Sequence, residues 1–171
     1  MGIRVNMKIK KTSLHQLHEA YQAKFVEFAG YIMPIQYKTG IVEEHKFTRS
    51  HSGIFDVSHM GQLFIYGDQD LINDLEKIFP LDLQNLNVNH SKYSFLMNEK
   101  AGIYDDLIIT KIEGGFLIIL NAARKHNDFK ILSSFEMISK CNKESHFSNA
   151  SRLSFFSRLS TEVFKIFAIV L

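Results

Sequence analysis

Apolar residues recur along this chain with two different spacings, and the changes between them predict a series of short helices and strands. Leu14, Leu17 and Tyr21 follow one another at helical spacing, which predicts a helix over residues 13–22 with Ser13 as its N-cap. The same spacing predicts three further helices, at residues 41–51, 68–79 and 122–132. Short apolar and alternating stretches predict strands at residues 24–28, 62–66, 93–97, 103–112 and 116–120.

The order of these elements indicates the fold class. The last two predicted strands form a hairpin across residues 113–115, so at least one pair of strands is antiparallel. Residues 30–37 contain Pro34 and are expected to form an ordered loop. Because helices and strands are mixed along the chain, we expect an α+β fold, with a mixed or antiparallel sheet and flanking helices.

The composition changes near Ser133 and divides the chain into two parts. Every glycine and both prolines lie before residue 116, and no aspartate follows Asp128. The remainder is rich in serine and phenylalanine, with weak periodicity and without the usual turn residues. At the other end, Met7 precedes a lysine-rich segment and is the expected start of the protein, with residues 1–6 as an extension.

Composition and charge exclude several classes of function. The chain is 46% apolar and 22% charged, as is usual for globular proteins, and its net charge of +2 is spread along the sequence. This distribution argues against a nucleic-acid partner, and no apolar run reaches the roughly 18 residues of a membrane span. The single cysteine, Cys141, excludes an internal disulfide and a cysteine-based zinc site. With no secretory signal or transit peptide in view, we expect a cytoplasmic protein.

Two adjacent carboxylates stand inside an apolar strand and indicate a small-molecule site. Asp105 and Asp106 precede the apolar run that begins at Leu107. A buried carboxylate is costly unless a donor binds it, so a ligand or a protein donor is expected nearby. Neighbouring residues of a strand point to opposite faces, so one acid can face a cavity while the other is solvated.

Other polar groups have simpler interpretations. Asp56, Ser58 and His59 have the residue types of a catalytic triad, but they are too close in sequence to converge and no nucleophile elbow surrounds them. We interpret them as a structural turn. His15 and His18 have a workable metal-ligand spacing on a helix, but no third ligand is evident, so we expect a solvated helix face and no metal site.

Several motifs, taken in order and spacing, resemble one family. It is the T-protein of the glycine cleavage system, an aminomethyltransferase. The matching stretches are Lys11–His15, Ala23–Tyr37, Phe55–Gly61, Tyr93–Asn98, Gly102–Leu107 and Asn121–Arg124. The resemblance implies that residues 7–134 are the N-terminal portion of the aminomethyltransferase folate-binding domain. Residues 135–171 then form a divergent tail, because the Gln-Gly-Pro that follows in the family is missing here.

The resemblance implies a reaction and a catalytic residue. The family transfers an aminomethyl group from the lipoyl arm of H-protein to tetrahydrofolate, giving 5,10-methylenetetrahydrofolate and ammonia without a metal. The second acid of the pair, Asp106 in this chain, would orient the folate and help to take a proton from N5. Met60 occupies the position of a methionine that lies in the family's folate pocket.

Three further residues are expected in the same folate site. Tyr93 can stack on or hydrogen-bond a ligand, although most such tyrosines are ordinary core residues. Ile108 shares a face of its strand with Asp106 and would line the same cavity. Asn121 ends a strand and offers both a donor and an acceptor to a pterin edge, or caps the following helix.

Other interpretations remain open. The folate part of a sarcosine or dimethylglycine oxidase would be attached to a flavin domain, and no dinucleotide fingerprint is present. A tRNA-modification-linked folate binder would carry a Lys-Gly-Cys-Tyr type motif, which is missing. The third alternative is a non-catalytic module, a pseudoenzyme that binds folate or H-protein, and Asp106 does not separate it from an enzyme. For a truncated enzyme we expect poor folding and little activity from the chain alone.

Overall fold

The computed structural model describes residues 9–134 and the two short strands Phe147–Asn149 and Ile166–Ile169. These described residues form four helices, α1 (His15–Ala20), α2 (Ile41–Ser50), α3 (Gln69–Glu76) and α4 (Lys125–Leu132). The first five strands are β1 (Lys10–Lys11), β2 (Lys24–Phe28), β3 (Tyr31–Gln36), β4 (Gly53–Asp56) and β5 (Gly61–Tyr66). The other five are β6 (Ser91–Met97), β7 (Ile103–Ile112), β8 (Gly115–Leu120), β9 (Phe147–Asn149) and β10 (Ile166–Ile169). Most of the predicted tail at residues 135–171, with Cys141, lies outside the described residues.

The strands form three sheets, and the predicted α+β class is confirmed. The largest sheet has five strands in the order β6-β7-β8-β5-β9, and all of its neighbouring pairs are antiparallel. A second sheet has the order β1-β3-β2, with β1 parallel and β2 antiparallel to β3. Strands β4 and β10 form a parallel pair. The sheets are therefore mixed or antiparallel, with helices beside them, as expected.

The main core lies on one face of the five-stranded sheet. Alternation along each strand sends every second side chain to this face, where α3 and α4 contribute their apolar residues. Leu71 and Leu75 of α3 and Leu132 of α4 are fully buried there. The side chains contributed by the strands include Leu63, Ile65, Leu96, Leu107, Ile109, Ile118 and Leu120. The opposite face of the sheet is the more open one.

The predicted loop at residues 30–37 is wrong, because most of it forms strand β3. Proline lacks an N–H and is tolerated in a sheet only where no ladder bond is needed. Strand β1 pairs only with Tyr31 and Ile32, so Pro34 lies beyond this pairing. On the other side, the register with β2 shifts next to Pro34, between Phe25 and Lys24, which is a β-bulge. Pro34 therefore sits where the sheet is already irregular.

Helix α1 differs from its prediction in its cap and in its buried face. Leu14 is the N-cap and makes no side-chain cap hydrogen bond, so the predicted Ser13 cap is wrong. The N–H of His15 instead donates to the carbonyl of Thr12 at 3.2 Å, which begins the helix with a backbone turn. The two histidines are 5% and 6% exposed, whereas Leu17 is 49% exposed. The expected solvated histidine face is thus wrong.

Candidate functional site

Three of the predicted site residues lie in one row across neighbouring strands, namely Met60, Asp106 and Asn121. Leu107 of β7 pairs with Leu120 of β8, so Asn121 follows β8 beside Asp106. Gly61 of β5 also pairs with Leu120, which places Met60 at the start of β5 beside Asn121. Directly paired positions of an antiparallel sheet lie about 5 Å apart. The register thus brings together residues from three separate parts of the sequence.

The two other predicted residues lie in the next row on the same face as Asp106. Tyr93 of β6 is paired directly with Ile108 of β7, two residues along the strand from Asp106. Residues two apart on a strand share a face. Tyr93 is 60% exposed and Ile108 is 36% exposed, so this is the face opposite the main core. An apolar and aromatic surface with a carboxylate at one end is therefore open to a flat ligand.

Asn121 connects the two adjacent acids. Its Nδ2 donates to the Asp105 carboxylate at 3.2 Å, to the Asp106 carboxylate at 3.1 Å and to the Asp106 backbone oxygen at 2.9 Å. The acids do point to opposite faces, since Asp105 pairs with Leu96 and Asp106 with Phe95. Both are half-buried, so neither acid is fully solvated. The amide at the end of β8 supplies the donor that the acids require.

Tyr93 adds a second donor beside Asp106. Loss of water around the hydroxyl, together with the charge of Asp106 and a hydrogen bond to it, raises the pKa of Tyr93 above its ordinary value. The phenol therefore stays neutral and donates to the carboxylate. Its ring meets Phe95 edge to face, with the centroids 5.4 Å apart. Tyr93 thus combines a fixed aromatic surface with a polar contact to the acid.

Asp128 of α4 lies behind the acid pair and was not predicted as a site residue. It is fully buried, and neither of its carboxyl oxygens accepts a hydrogen bond from a donor in the described part of the chain. Burial, with a hydrogen bond to Asp105 and the charge of that neighbour, raises the pKa of Asp128 to about 7. The sequence does indicate that Asp128 is buried, because Lys125, Asp128 and Leu132 are at helical spacing and share the buried face of α4. Polar residues at such positions mark a functional or specifically paired group.

The Asp56-Ser58 segment is a structural turn, as predicted. One Asp56 oxygen accepts from the Ser58 N–H at 3.0 Å and from its hydroxyl at 2.6 Å. The other oxygen contacts Nε2 of His18 at 2.8 Å, and Nδ1 of His18 contacts the hydroxyl of Tyr37 at 2.7 Å. Burial opposes ionisation of Asp56, but the bonds from Ser58 and His18 outweigh it and hold its pKa below the usual value. The carboxylate thus joins the turn to α1 and, through His18, to Tyr37 just after β3.

This network also explains why His18 is buried. Both of its ring nitrogens contact protein groups, so the imidazole needs no water.

Within the part of the chain that the structure describes, no group of three or more histidine, cysteine, aspartate or glutamate side chains is arranged to hold a metal ion. No described helix has the length and apolar character needed to cross a membrane.

Comparison with known proteins shows similarity to aminomethyltransferases over most of the described residues. Residues 14–155 match the family model of the GCVT N-terminal domain. The chain is 46% identical over 121 residues to the mitochondrial aminomethyltransferase of Dictyostelium discoideum, covering 71% of this chain and 30% of that protein. It is 38% identical over 123 residues to the aminomethyltransferase of Caldanaerobacter subterraneus, covering 71% of this chain and 32% of that one.

A solved structure shares the fold. The glycine cleavage system aminomethyltransferase T from Bartonella henselae is similar with a TM-score of 0.68 and 40% identity. The match covers 74% of this chain and 35% of that structure, so the chain spans about a third of the length of its relatives. The resemblance read from the sequence motifs is confirmed. This chain belongs to the aminomethyltransferase family of the glycine cleavage system, whose GCVT N-terminal domain it matches.

Proposed function

We propose that this chain carries the tetrahydrofolate-binding part of an aminomethyltransferase. In the full reaction, an aminomethyl group passes from lipoylated H-protein to tetrahydrofolate, giving 5,10-methylenetetrahydrofolate and ammonia. The observation that supports this most directly is the row of Met60, Asp106 and Asn121 beside the open surface of Tyr93 and Ile108. Family membership supports the reaction class, and this surface is where we propose that the folate binds.

The site offers hydrogen bonds and a flat surface to a pterin ring. The Asp106 carboxylate can accept N–H donors of the pterin, and such charge-assisted bonds are the strong ones. Because Nδ2 of Asn121 is directed at the two acids, its side-chain carbonyl oxygen can accept from the ligand. Tyr93 and Ile108 would cover one side of the ring. We assign Asp106 the catalytic role, which is to orient the folate and accept a proton from N5.

The chain alone is proposed to have little activity. Several large apolar side chains are exposed, among them Phe28 at 58%, Phe47 at 57% and Ile54 at 72%. We take these exposed side chains as candidates for contact with the remaining length of the protein. Since the chain spans about a third of its relatives, groups that close the folate site and receive H-protein would be supplied by the remaining length. Folate binding is therefore the function to test first.

Calorimetric titration with tetrahydrofolate tests the proposal. We expect saturable binding by the 171-residue chain and binding about 10- to 100-fold weaker for Asp106→Asn, because a charge-assisted hydrogen bond is lost. Asp70→Asn, which changes an exposed acid on α3, serves as the matched control and should bind like the wild type. Equal affinities for the wild type and Asp106→Asn would contradict the proposed site.

An ammonia-release assay with aminomethyl-loaded H-protein separates the two functional alternatives. Tetrahydrofolate-dependent release that is lost in Asp106→Asn would identify an enzyme. Folate binding without release, even after a relative's remaining domains are added in trans, would identify a non-catalytic binding module. Robust turnover by the chain alone would contradict the expected low activity.

A further inference from the structure

We propose that Asp128 is a positioning residue for this site, sharing a proton with Asp105 and thereby holding Asn121 and Asp106 in place for the folate. The inference rests on the proposed function. It begins from Asp128 of α4, which is fully buried, and from its neighbour Asp105 of β7, whose hydrogen bond and charge act on it. Both oxygens of Asp128 and Oδ2 of Asp105 are buried without a hydrogen-bond donor among the residues that the structure describes. A fully buried carboxyl group is costly to charge beside a second carboxylate, whereas one proton between them satisfies both groups.

The shared proton completes a chain of contacts that leads to the ligand surface. Protonated Asp128 donates to Oδ2 of Asp105, while Oδ1 of Asp105 accepts from Nδ2 of Asn121 at 3.2 Å. The same nitrogen donates to the Asp106 carboxylate at 3.1 Å. Asp128 therefore fixes Asp105, Asp105 fixes the amide plane of Asn121, and Asn121 fixes the carboxylate that faces the folate. Asp128 itself lies on the core side of the sheet and does not contact the ligand.

The charged groups around Asp128 determine when this proton is present. Burial has the largest effect in favour of the protonated form and Asp105 on β7 adds to it, whereas Arg124 in the turn before α4 and the neighbouring Asn127 oppose it. The resulting pKa of about 7 lies well above the ordinary 3.8. As pH rises through this value, the proton is lost, the two carboxylates repel each other and Asn121 loses its fixed acceptor. Folate binding is thus expected to weaken above neutral pH.

The first measurement does not involve folate. In a chain with ¹³C-labelled aspartate carboxyl groups, we expect one carboxyl resonance to titrate at about pH 7 and to disappear in Asp128→Asn. Asp105→Asn removes the shared proton from the other side and should move the Asp128 resonance towards an ordinary acid pH, which provides a second variant if Asp128→Asn does not fold. A spectrum in which every aspartate titrates below about pH 5 would overturn the inference.

The second measurement compares tetrahydrofolate titrations at pH 6 and pH 8. For the wild type we expect binding about two- to tenfold weaker at pH 8, the range for losing one neutral hydrogen bond. In Asp128→Asn the amide donates to Asp105 at every pH, so binding at pH 8 should match wild-type binding at pH 6. A role in folding alone would change stability without abolishing this pH dependence.

The outcomes separate this inference from the proposed function. Folate binding with the same pH dependence in the wild type and in Asp128→Asn would overturn the role of Asp128 and leave the folate site intact. A carboxyl that titrates at about pH 7 in a chain that binds no folate at either pH would overturn the proposed function and the positioning role together.

Discussion

Replacing Gly115 with alanine is expected to destabilise the fold by at least about 3 kcal/mol. Gly115 begins β8 and pairs with Tyr66 on one side and with Ile112 on the other. An added Cβ would overlap the backbone carbonyl oxygen of Ile65 and would lie 2.9 Å from the Cα of Tyr66. Backbone atoms cannot rotate away as a side chain can, so β5 and β8 would have to separate at this end.

The neighbouring glycine provides a matched control for this prediction. Gly114 has φ +72°, but an added Cβ meets nothing within 4 Å. Gly114→Ala should therefore cost only the backbone strain, about 1–2 kcal/mol. Urea unfolding followed by circular dichroism compares the two variants, and the midpoint of Gly115→Ala should be clearly the lower. Equal midpoints, or a lower one for Gly114→Ala, would show that the sheet yields easily at Gly115.

Replacing Lys125 with methionine is expected to lower the free energy of unfolding by about 2–4 kcal/mol. Lys125 is only 1% exposed, and its Nζ donates to the hydroxyl of Tyr31 at 3.0 Å and to the backbone oxygen of His59 at 2.9 Å. Methionine keeps the apolar stem but removes the donor, so two polar groups lose a bond in the interior. The lysine thus joins α4 to β3 and to the turn that precedes β5.

The Lys125 prediction has a control and a consequence for the site. Lys130→Met changes an exposed lysine on the same helix and should stay within about 0.5 kcal/mol of the wild type. The stem of Lys125 also lies against Gly61, where an added Cβ would meet the lysine Cβ at 2.8 Å. Because Met60 precedes Gly61, loss of this contact should also weaken folate binding. Thermal unfolding of both variants measures the first effect, and an unchanged midpoint for Lys125→Met would refute it.

The strands of the large sheet could be predicted because each is amphipathic on a local scale. Strand β7 alternates from Leu107 to Ile109 between buried and exposed side chains, and its hairpin partner follows after a short turn. Strand β3 could not be recognised in this way. A proline such as Pro34 predicts a loop when only the neighbouring residues are considered. The strand is recognised only from its pairing with β2.

Helix α1 shows a second limit of local patterns. Leu17 and Tyr21 indicate its buried face by hydrophobicity, yet they are exposed, while His15 and His18 are buried. The partners of His18 lie at Tyr37 and Asp56, far away in the sequence, and no spacing within the helix reveals them. Hydrophobicity selects a buried face only when no polar network supplies better partners.

Part of the candidate site could also be predicted from local sequence patterns. Asp106 and Ile108 share a face by strand alternation alone, and family resemblance adds the position of Met60. The link through Asn121 depends on the register of β7 and β8, which only the folded chain supplies. Asp128 could not be predicted as a site residue, because it lies on a helix behind the sheet. Its partner Asp105 was visible in the sequence, but the depth of both groups was not.

Mapping the folate contact by ¹H–¹⁵N nuclear magnetic resonance decides whether folate binds at this end of the sheet. Tetrahydrofolate is added to the labelled 171-residue chain, and the backbone and side-chain amide signals are followed. We expect the largest shifts at Tyr93, Asp106, Ile108 and Asn121, including the Asn121 side-chain amide, with smaller ones at Met60. Shifts confined to the surface cavity between Pro80 and Asn98, or no shifts at saturating ligand, would contradict a folate site at this end of the sheet.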